Sequence, residues 1–284
     1  MKISAYIPCY NNVATITKAV ESVQSQSHPV DELIVVDDGS RDGSASIVEK
    51  AGVRVIRHEK NQGRGAVRAR AMSEARNGLV LCCDATNILD PNFVADSLNW
   101  FEDSSIAAVV GKISQPKPQN VVERWRGRHL FNLGKTDEVR HFAPLSTFGA
   151  IVRRSAVMSV GNYLPSLRHS EDGDLGEKLL SAGFDIIHDP KLIVTSIAKN
   201  TLLQVLERHW RWKVGVDEHS AWDGYFRQII YSVKVMAKED LQAGDPMSSL
   251  ISLLSPHYGF LKSKLSRPQN RYKLSLSGKP DFNP

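Results

Sequence analysis

Five short apolar runs punctuate the first 115 residues, and their spacing excludes most folds before any motif is read. The runs are Ile3–Ile7, Leu33–Val36, Val53–Ile56, Leu79–Cys83 and Ala107–Val110. Each is too short for a helix and continuous rather than alternating, which suits strands buried on both faces. Helical patterns lie between them. Val13–Val23 puts Val13, Ile16, Ala19, Val20 and Val23 on one face; Ser44–Lys50 and Ala66–Ala75 behave alike, and Pro91 is read as the first turn of another helix. Strand and helix in alternation require crossover connections and a mostly parallel sheet with helices on both faces.

Ligands of such sheets sit at the carboxyl ends of the strands, and there the polar residues collect. The turns read Pro8-Cys9-Tyr10-Asn11-Asn12, Asp37-Asp38-Gly39-Ser40, Asn61-Gln62-Gly63-Arg64-Gly65 and Asp84-Ala85-Thr86-Asn87. Any one is an ordinary turn; together they converge on one rim.

Composition narrows the classes further. At 284 residues, 42% hydrophobic and 24% charged, the chain is an ordinary globular one. It has no run of 18 apolar residues for a spanning helix, and Met1–Pro8 reads as a first strand, not a secretory signal. Cys9, Cys82 and Cys83 fit neither a zinc spacing nor a disulfide framework, so reduced thiols in the cytosol are expected. The net charge of +5 lies entirely in residues 262–284, where Lys262, Lys264, Arg267, Arg271, Lys273 and Lys279 face Asp281. With the apolar stretches Leu250–Leu254 and Tyr258–Leu261 before it, residues 247–284 read either as a contact with an anionic membrane surface or as a solvated tail. No nucleic-acid motif or basic stripe runs along the body.

The motifs resemble family 2 glycosyltransferases of the GT-A fold. Ile7–Asn12 and Ile34–Ser44 resemble the family's opening; Asn61-Gln62-Gly63 with Ala69-Arg70 its third motif; Phe148-Gly149-Ala150 with Arg153–Ala156 and Gly161 its acceptor-side segment. Glu171-Asp172 resembles its ED motif, and Arg208-His209-Trp210-Arg211-Trp212 its Q/RxxRW motif. The likeness covers about residues 3–215. It implies a GT-A domain over 1–199, with a nucleotide half (1–115) and an acceptor half (116–199), then a helical extension and basic tail over 200–284.

The resemblance implies an inverting sugar transfer from a nucleotide sugar, UDP-sugar first, to a hydroxyl acceptor such as a glycan, lipid carrier or small molecule. Its setting would be the cytoplasm or the inner face of the membrane. Asp172 would be the general base, with Glu171 beside it; capping of the helix Leu175–Ala182 is the structural alternative for one of them. Pro8, Tyr10, Asn11 and Asp38 would hold the nucleoside, Tyr10 by stacking. Asp37 and Asp38 would otherwise cap the helix near Asp42. Gly63, Arg70, Asp84, Ala85, Arg208, Arg211 and Trp212 would complete the donor site, with Arg211 as a diphosphate clamp. Arg70 reads equally as an exposed helix arginine, and Trp210 and Trp212 either wall the sugar or pack the core. Gly63-Arg64-Gly65 is not a dinucleotide fingerprint, since Arg68 stands where its third glycine belongs.

Two family positions depart. The DxD that holds Mg²⁺ or Mn²⁺ reads Asp84-Ala85-Thr86, and the family's metal-site histidine falls near Ser196, with His188 before Pro190 instead. Either Asp84 alone holds the ion weakly together with substrate phosphates, or metal dependence is reduced or lost, with Arg64, Arg68, Arg70, Arg208 and Arg211 as substitute cations. The competing classes are an inactive nucleotide-sugar-binding relative and a nucleotidyltransferase.

Overall fold

The computed structural model describes residues 1–133, 138–214 and 221–265. Eight strands form one sheet: β1 (Ile3–Cys9), β2 (Glu32–Asp37), β3 (Arg54–Arg57), β4 (Leu79–Cys83), β5 (Asn87–Leu89), β6 (Ile106–Ser114), β7 (Gly149–Arg153) and β8 (Asp185–Ser196). Their order is β3-β2-β1-β4-β7-β6-β8-β5. The half from β3 to β4 is parallel throughout. In the second half β7 runs antiparallel to β4 and β6, and β5 antiparallel to β8, while β6 and β8 are parallel.

The apolar runs are continuous because alternate residues serve different cores. Ile3, Ala5, Ile7 and Cys9 join Val35, Leu81 and Cys83 beneath Ile16, Ala19, Val20 and Val23 of the helix Ile16–Gln24. Tyr6, Ile34, Val36, Val80 and Cys82 face the other way, onto Val67, Ala71 and Met72 of Arg64–Glu74 and Leu175 and Leu179 of Glu171–Ser181.

Helix starts differ from expectation. The first begins at Ile16 rather than Val13, because Asn12 O accepts from both Thr15 and Ile16 N–H and Asp42 holds Val13 N–H. Pro91 precedes the helix Phe93–Ser97 instead of lying in its first turn; its carbonyl accepts from Ser27 N–H.

A third core joins the helices Val121–His129, Leu202–Val214 and Pro246–Leu265 through Trp125, Val205, Leu206 and Ile251. Ala221–Tyr231, a π-helical turn Ser232–Ala237 and Lys238–Gln242 connect the last two. Pro256 removes a hydrogen bond inside the last helix. The freed Ser252 carbonyl accepts from Ser232 Oγ (2.6 Å) and Ser255 Oγ (2.9 Å). No helix among the described residues is long and apolar enough to cross a membrane. Four of the basic tail residues, Arg267, Arg271, Lys273 and Lys279, lie outside the described residues.

Candidate active site

The β1 and β2 turns are laced by short polar side chains. Pro8 lies within β1 opposite Val36. Asn11 takes a left-handed φ of 52°; its N–H donates to Ser40 Oγ and its Oδ1 accepts from Arg41 N–H, both at 2.9 Å. Asn12 Oδ1 accepts from Tyr10 N–H, and the Tyr10 ring stands 49% exposed at the rim. Asp38 is buried and ties β2 to the next turn, accepting from Gln62 N–H (2.8 Å) and Gly63 N–H (2.9 Å), with His58 Nδ1 at 2.9 Å. Neither Asp37 nor Asp38 caps the helix Ser44–Lys50; Asp42 Oδ1 accepts from Ser44 N–H at its start.

The Gly63 turn carries the acceptor-side loop. A Cβ on Gly65 would lie 2.2 Å from Leu164 O and 2.6 Å from Leu167 O, so only glycine fits there. Gly65 N–H donates to Leu167 O (2.9 Å). The loop then leads through Ser170, at a φ of 61°, into Glu171 and Asp172. These two sit inside the first helical turn rather than ahead of it.

At the centre is Arg68, 2% exposed. Its Nε donates to Glu171 Oε1 (3.0 Å), its Nη2 to Asp84 Oδ1 (2.8 Å) and its Nη1 to Tyr6 Oη (3.2 Å). One buried guanidinium thus draws the first carboxylate of the degenerate DxD and the ED motif together. Arg70, assigned to the donor site from the sequence, points away: its side chain is 54% exposed and pairs with Glu74 one turn on (2.8 Å). Helical phase is the reason. Arg68 shares its face with Gly65, Ala71 and Met72, and Arg70 lies nearly opposite. Arg68, held by two carboxylates, is also withdrawn from the set of substitute cations.

Asp172 is half-buried beside this pair. Thr147 Oγ1 lies 3.4 Å from its Oδ2, and Oδ1 accepts from Gly173 N–H (3.0 Å). Burial and then the Glu171 charge push its pKa above the ordinary aspartate value, against the pull of Arg68 and Arg64. Glu171 Oε2 is buried without a partner among the described residues.

Across the rim, Arg208 and Arg211 project from Leu202–Val214 three residues apart, on one helical face. They line a cavity of about 640 Å³ with Tyr10, Asn12, Glu207 and Tyr258. Burial and the like charge of Arg64 bring Arg208 down to about 10, although Asp84 opposes this, and lower Arg211 as well. Arg211 Nε is buried with no acceptor, and neither Arg64 nor Arg208 makes an ion pair among the described residues. Clustered cations that outnumber the nearby carboxylates Glu207 and Asp84 make a site for an anion. The tryptophans stand elsewhere. Trp210 donates to Ser263 Oγ (2.9 Å) on the last helix and Trp212 is exposed; neither lines the cavity. A smaller cavity of about 360 Å³, lined by Met1, Lys2, Gly78 and Arg153, sits at the opposite end of β4 and holds no such chemistry.

The donor set does not fit a divalent cation. Asp84 is already paired with Arg68, and Ala85 is buried. Thr86 offers its carbonyl to Ile197 N–H (2.9 Å), and Ser196 is buried opposite Asn87. His188 lies on β8 opposite Val110 of β6. No group of three or more metal-binding side chains occurs among the described residues. The cysteines are free and buried; burial pushes Cys9 and Cys82 up to about 11, and Cys83 further, so none is poised as a nucleophile.

A parallel half-sheet with a polar rim, followed by a mixed half that brings a carboxylate pair to the same rim, is the GT-A architecture. Solved structures agree in fold. S. aureus TarS 1–349 superposes with a TM-score of 0.56 at 18% identity over 92% of this chain and 88% of that one. The mannosyltransferase PcManGT from Pyrobaculum calidifontis, solved with GDP-Man and Mn²⁺, gives 0.57 at 15% identity over 94% and 76%. Residues 4–161 match the model of glycosyl transferase family 2, and the chain belongs to that family. Among curated relatives, succinoglycan biosynthesis protein ExoU of Rhizobium meliloti is 28% identical over 64% of this chain and 58% of that protein. The poly-beta-1,6-N-acetyl-D-glucosamine synthase of Staphylococcus epidermidis is 24% identical over 76% and 55%. The chain thus spans somewhat over half the length of these relatives.

Proposed function

We propose that the protein transfers a glycosyl group from a nucleoside-diphosphate sugar to a hydroxyl acceptor, with inversion. The observation that carries this reading is the Arg68 bridge, which sets Asp84 and Glu171–Asp172 on one rim, across from Arg208 and Arg211. The acceptor hydroxyl gives its proton to Asp172 as its oxygen bonds to the anomeric carbon. The bond to the β-phosphate oxygen breaks on the opposite face, so the configuration inverts. A positioned carboxylate contributes roughly 10²–10⁴ in rate. The raised proton affinity of Asp172 suits a base that must take a proton from an alcohol.

Tyr10 stacks on the base, and Pro8, Asn11, Asp38 and Gly63 shape the nucleoside side of the rim. Asp84 and Ala85 lie at the ribose side. Arg208 and Arg211, with Arg64, take the charge of the departing diphosphate. In this reading Glu171 positions Arg68, and transfer proceeds without a divalent cation. UDP is the first nucleotide to test, since TarS has been solved with UDP-GlcNAc. The acceptor is a glycan or a glycan carrier, as the relatives' names suggest, met on the cytoplasmic side of a membrane.

The experiment is release of nucleoside diphosphate from a panel of nucleotide sugars, with chelator and with Mn²⁺. Release in chelator that disappears in Asp172→Asn supports the reading. Pyrophosphate release, or donor binding without turnover, would overturn it; dependence on Mn²⁺ would overturn the cation-free step alone.

A further inference from the structure

The last two long helices carry an apolar surface that the other described residues leave uncovered. On Pro246–Leu265, Met247, Leu250, Leu254, Leu261 and Leu265 recur at helical spacing on one exposed stripe, reaching 61% exposure at Leu261 and 82% at Leu265. On the neighbouring helix Ala221–Tyr231 and the π-helical turn, Trp222, Phe226 (57%), Ile230 and Val233 form a second stripe. The two helices meet where the Trp222 ring packs 4.8 Å from that of Phe260. Two exposed apolar stripes on adjoining helices mark an interaction surface rather than scattered surface residues.

Its frame is cationic. Arg227, Lys234, Lys238 and Lys264 are exposed around it, and Lys264 lies over the Trp222 and Phe260 rings at 5.7 and 5.5 Å. Of the four carboxylates between 221 and 265, Asp240 and Asp245 are buried against Arg128 and Arg124, which leaves Asp223 and Glu239 nearer the surface. The sequence then continues with Arg267, Arg271, Lys273 and Lys279 against Asp281. An apolar stripe with tryptophan and phenylalanine, flanked by lysine and arginine, is the pattern of a helix lying in a bilayer interface.

We infer that this two-helix surface docks the protein onto an anionic phospholipid bilayer, with both stripes entering the headgroup–acyl boundary. Tyr258 and Lys262, which wall the cavity, follow Leu254 by one and two turns and so border the stripe. The cavity mouth therefore lies beside the bilayer. On the glycosyl-transfer reading, the acceptor is then a lipid-borne glycan or lipid carrier rather than a free small molecule.

The test is co-sedimentation of the full chain with vesicles of phosphatidylcholine plus phosphatidylglycerol, and of phosphatidylcholine alone. Retention is expected on the mixed vesicles and reduced by high salt and by omission of the anionic lipid. The double variant Phe226→Glu, Leu261→Glu should lower retention by about tenfold or more with an unchanged Tm; Leu250→Glu, Leu254→Glu serves as a second pair at the other end of the stripe. No retention on anionic vesicles at low salt, or equal retention of both variant pairs, overturns the inference. A concentration-dependent dimer lost in the same variants, without vesicle retention, also overturns it and gives the face to a second copy. Vesicle retention involves no donor chemistry, so this inference and the transferase reading fail separately.

Discussion

Two of the buried charge networks among the described residues differ in completeness. In the helical region, Asp240 is fully buried and accepts from Arg128, from Ser252 Oγ (2.6 Å) and from the His129 ring (2.7 Å), while Ser252 Oγ also receives Trp125 Nε1–H (2.9 Å). At the rim, Arg68 likewise joins two carboxylates, but Glu171 Oε2 and Arg211 Nε have no partner among the described residues. A completed network fixes a fold. Buried polar atoms left open call for an explanation, and a ligand supplies one.

Substitutions separate the two. Asp172→Asn should lower turnover by roughly 10²–10⁴-fold while nucleotide binding, read by thermal shift, persists. Its Tm should hold or rise, because a carboxylate whose folded pKa is raised costs stability once ionised. Asp240→Ala should do the reverse, losing about 3–5 kcal/mol as Ser252 Oγ and the His129 ring lose their acceptor and Arg128 keeps only Asp245, with chemical denaturation as the readout. Arg211→Ala should weaken nucleoside-diphosphate binding by roughly 10–100-fold, the worth of a charge-assisted hydrogen bond, with little change in Tm. Arg70→Ala, an exposed pair, should stay within about 0.5 kcal/mol and leave turnover unaltered; a large loss there would return Arg70 to the donor site.

The pH responses should differ in the same way. Burial acts against ionised Asp240, but its bonds from His129, Ser252 and Arg128 prevail and hold its pKa below the ordinary value. That stability is present above the unfolded pKa and is lost as pH falls through the folded one. Asp172 is raised, so turnover should fail on acidification sooner than an ordinary aspartate would dictate. A pH–rate profile beside a pH–Tm profile tests both signs.

The sequence was legible where a residue's type decides its place. The doubly buried strands followed from Ile34–Val36 and Leu79–Cys83, and the rim from the polar turns behind them. It was less legible where direction decides. Arg68 and Arg70 are the same residue two positions apart on one helix, and only the apolar phase of Val67, Ala71 and Met72 favours Arg68 as the inward one. Trp210 and Trp212 raise the same difficulty: their destinations depend on where the last helix packs, which local pattern does not encode. The completed Asp240 network was invisible for the same reason, since His129 and Ser252 lie more than a hundred residues apart.

The close approach at Gly65 has a practical corollary. Alanine there would displace the 164–168 segment, and Glu171 and Asp172 would follow it. A genetic screen would then score position 65 as essential, although glycine has no side chain with which to meet a substrate. Loss of function mapped along Arg64–Glu74 therefore needs a reporter of loop geometry before any of it is credited to chemistry.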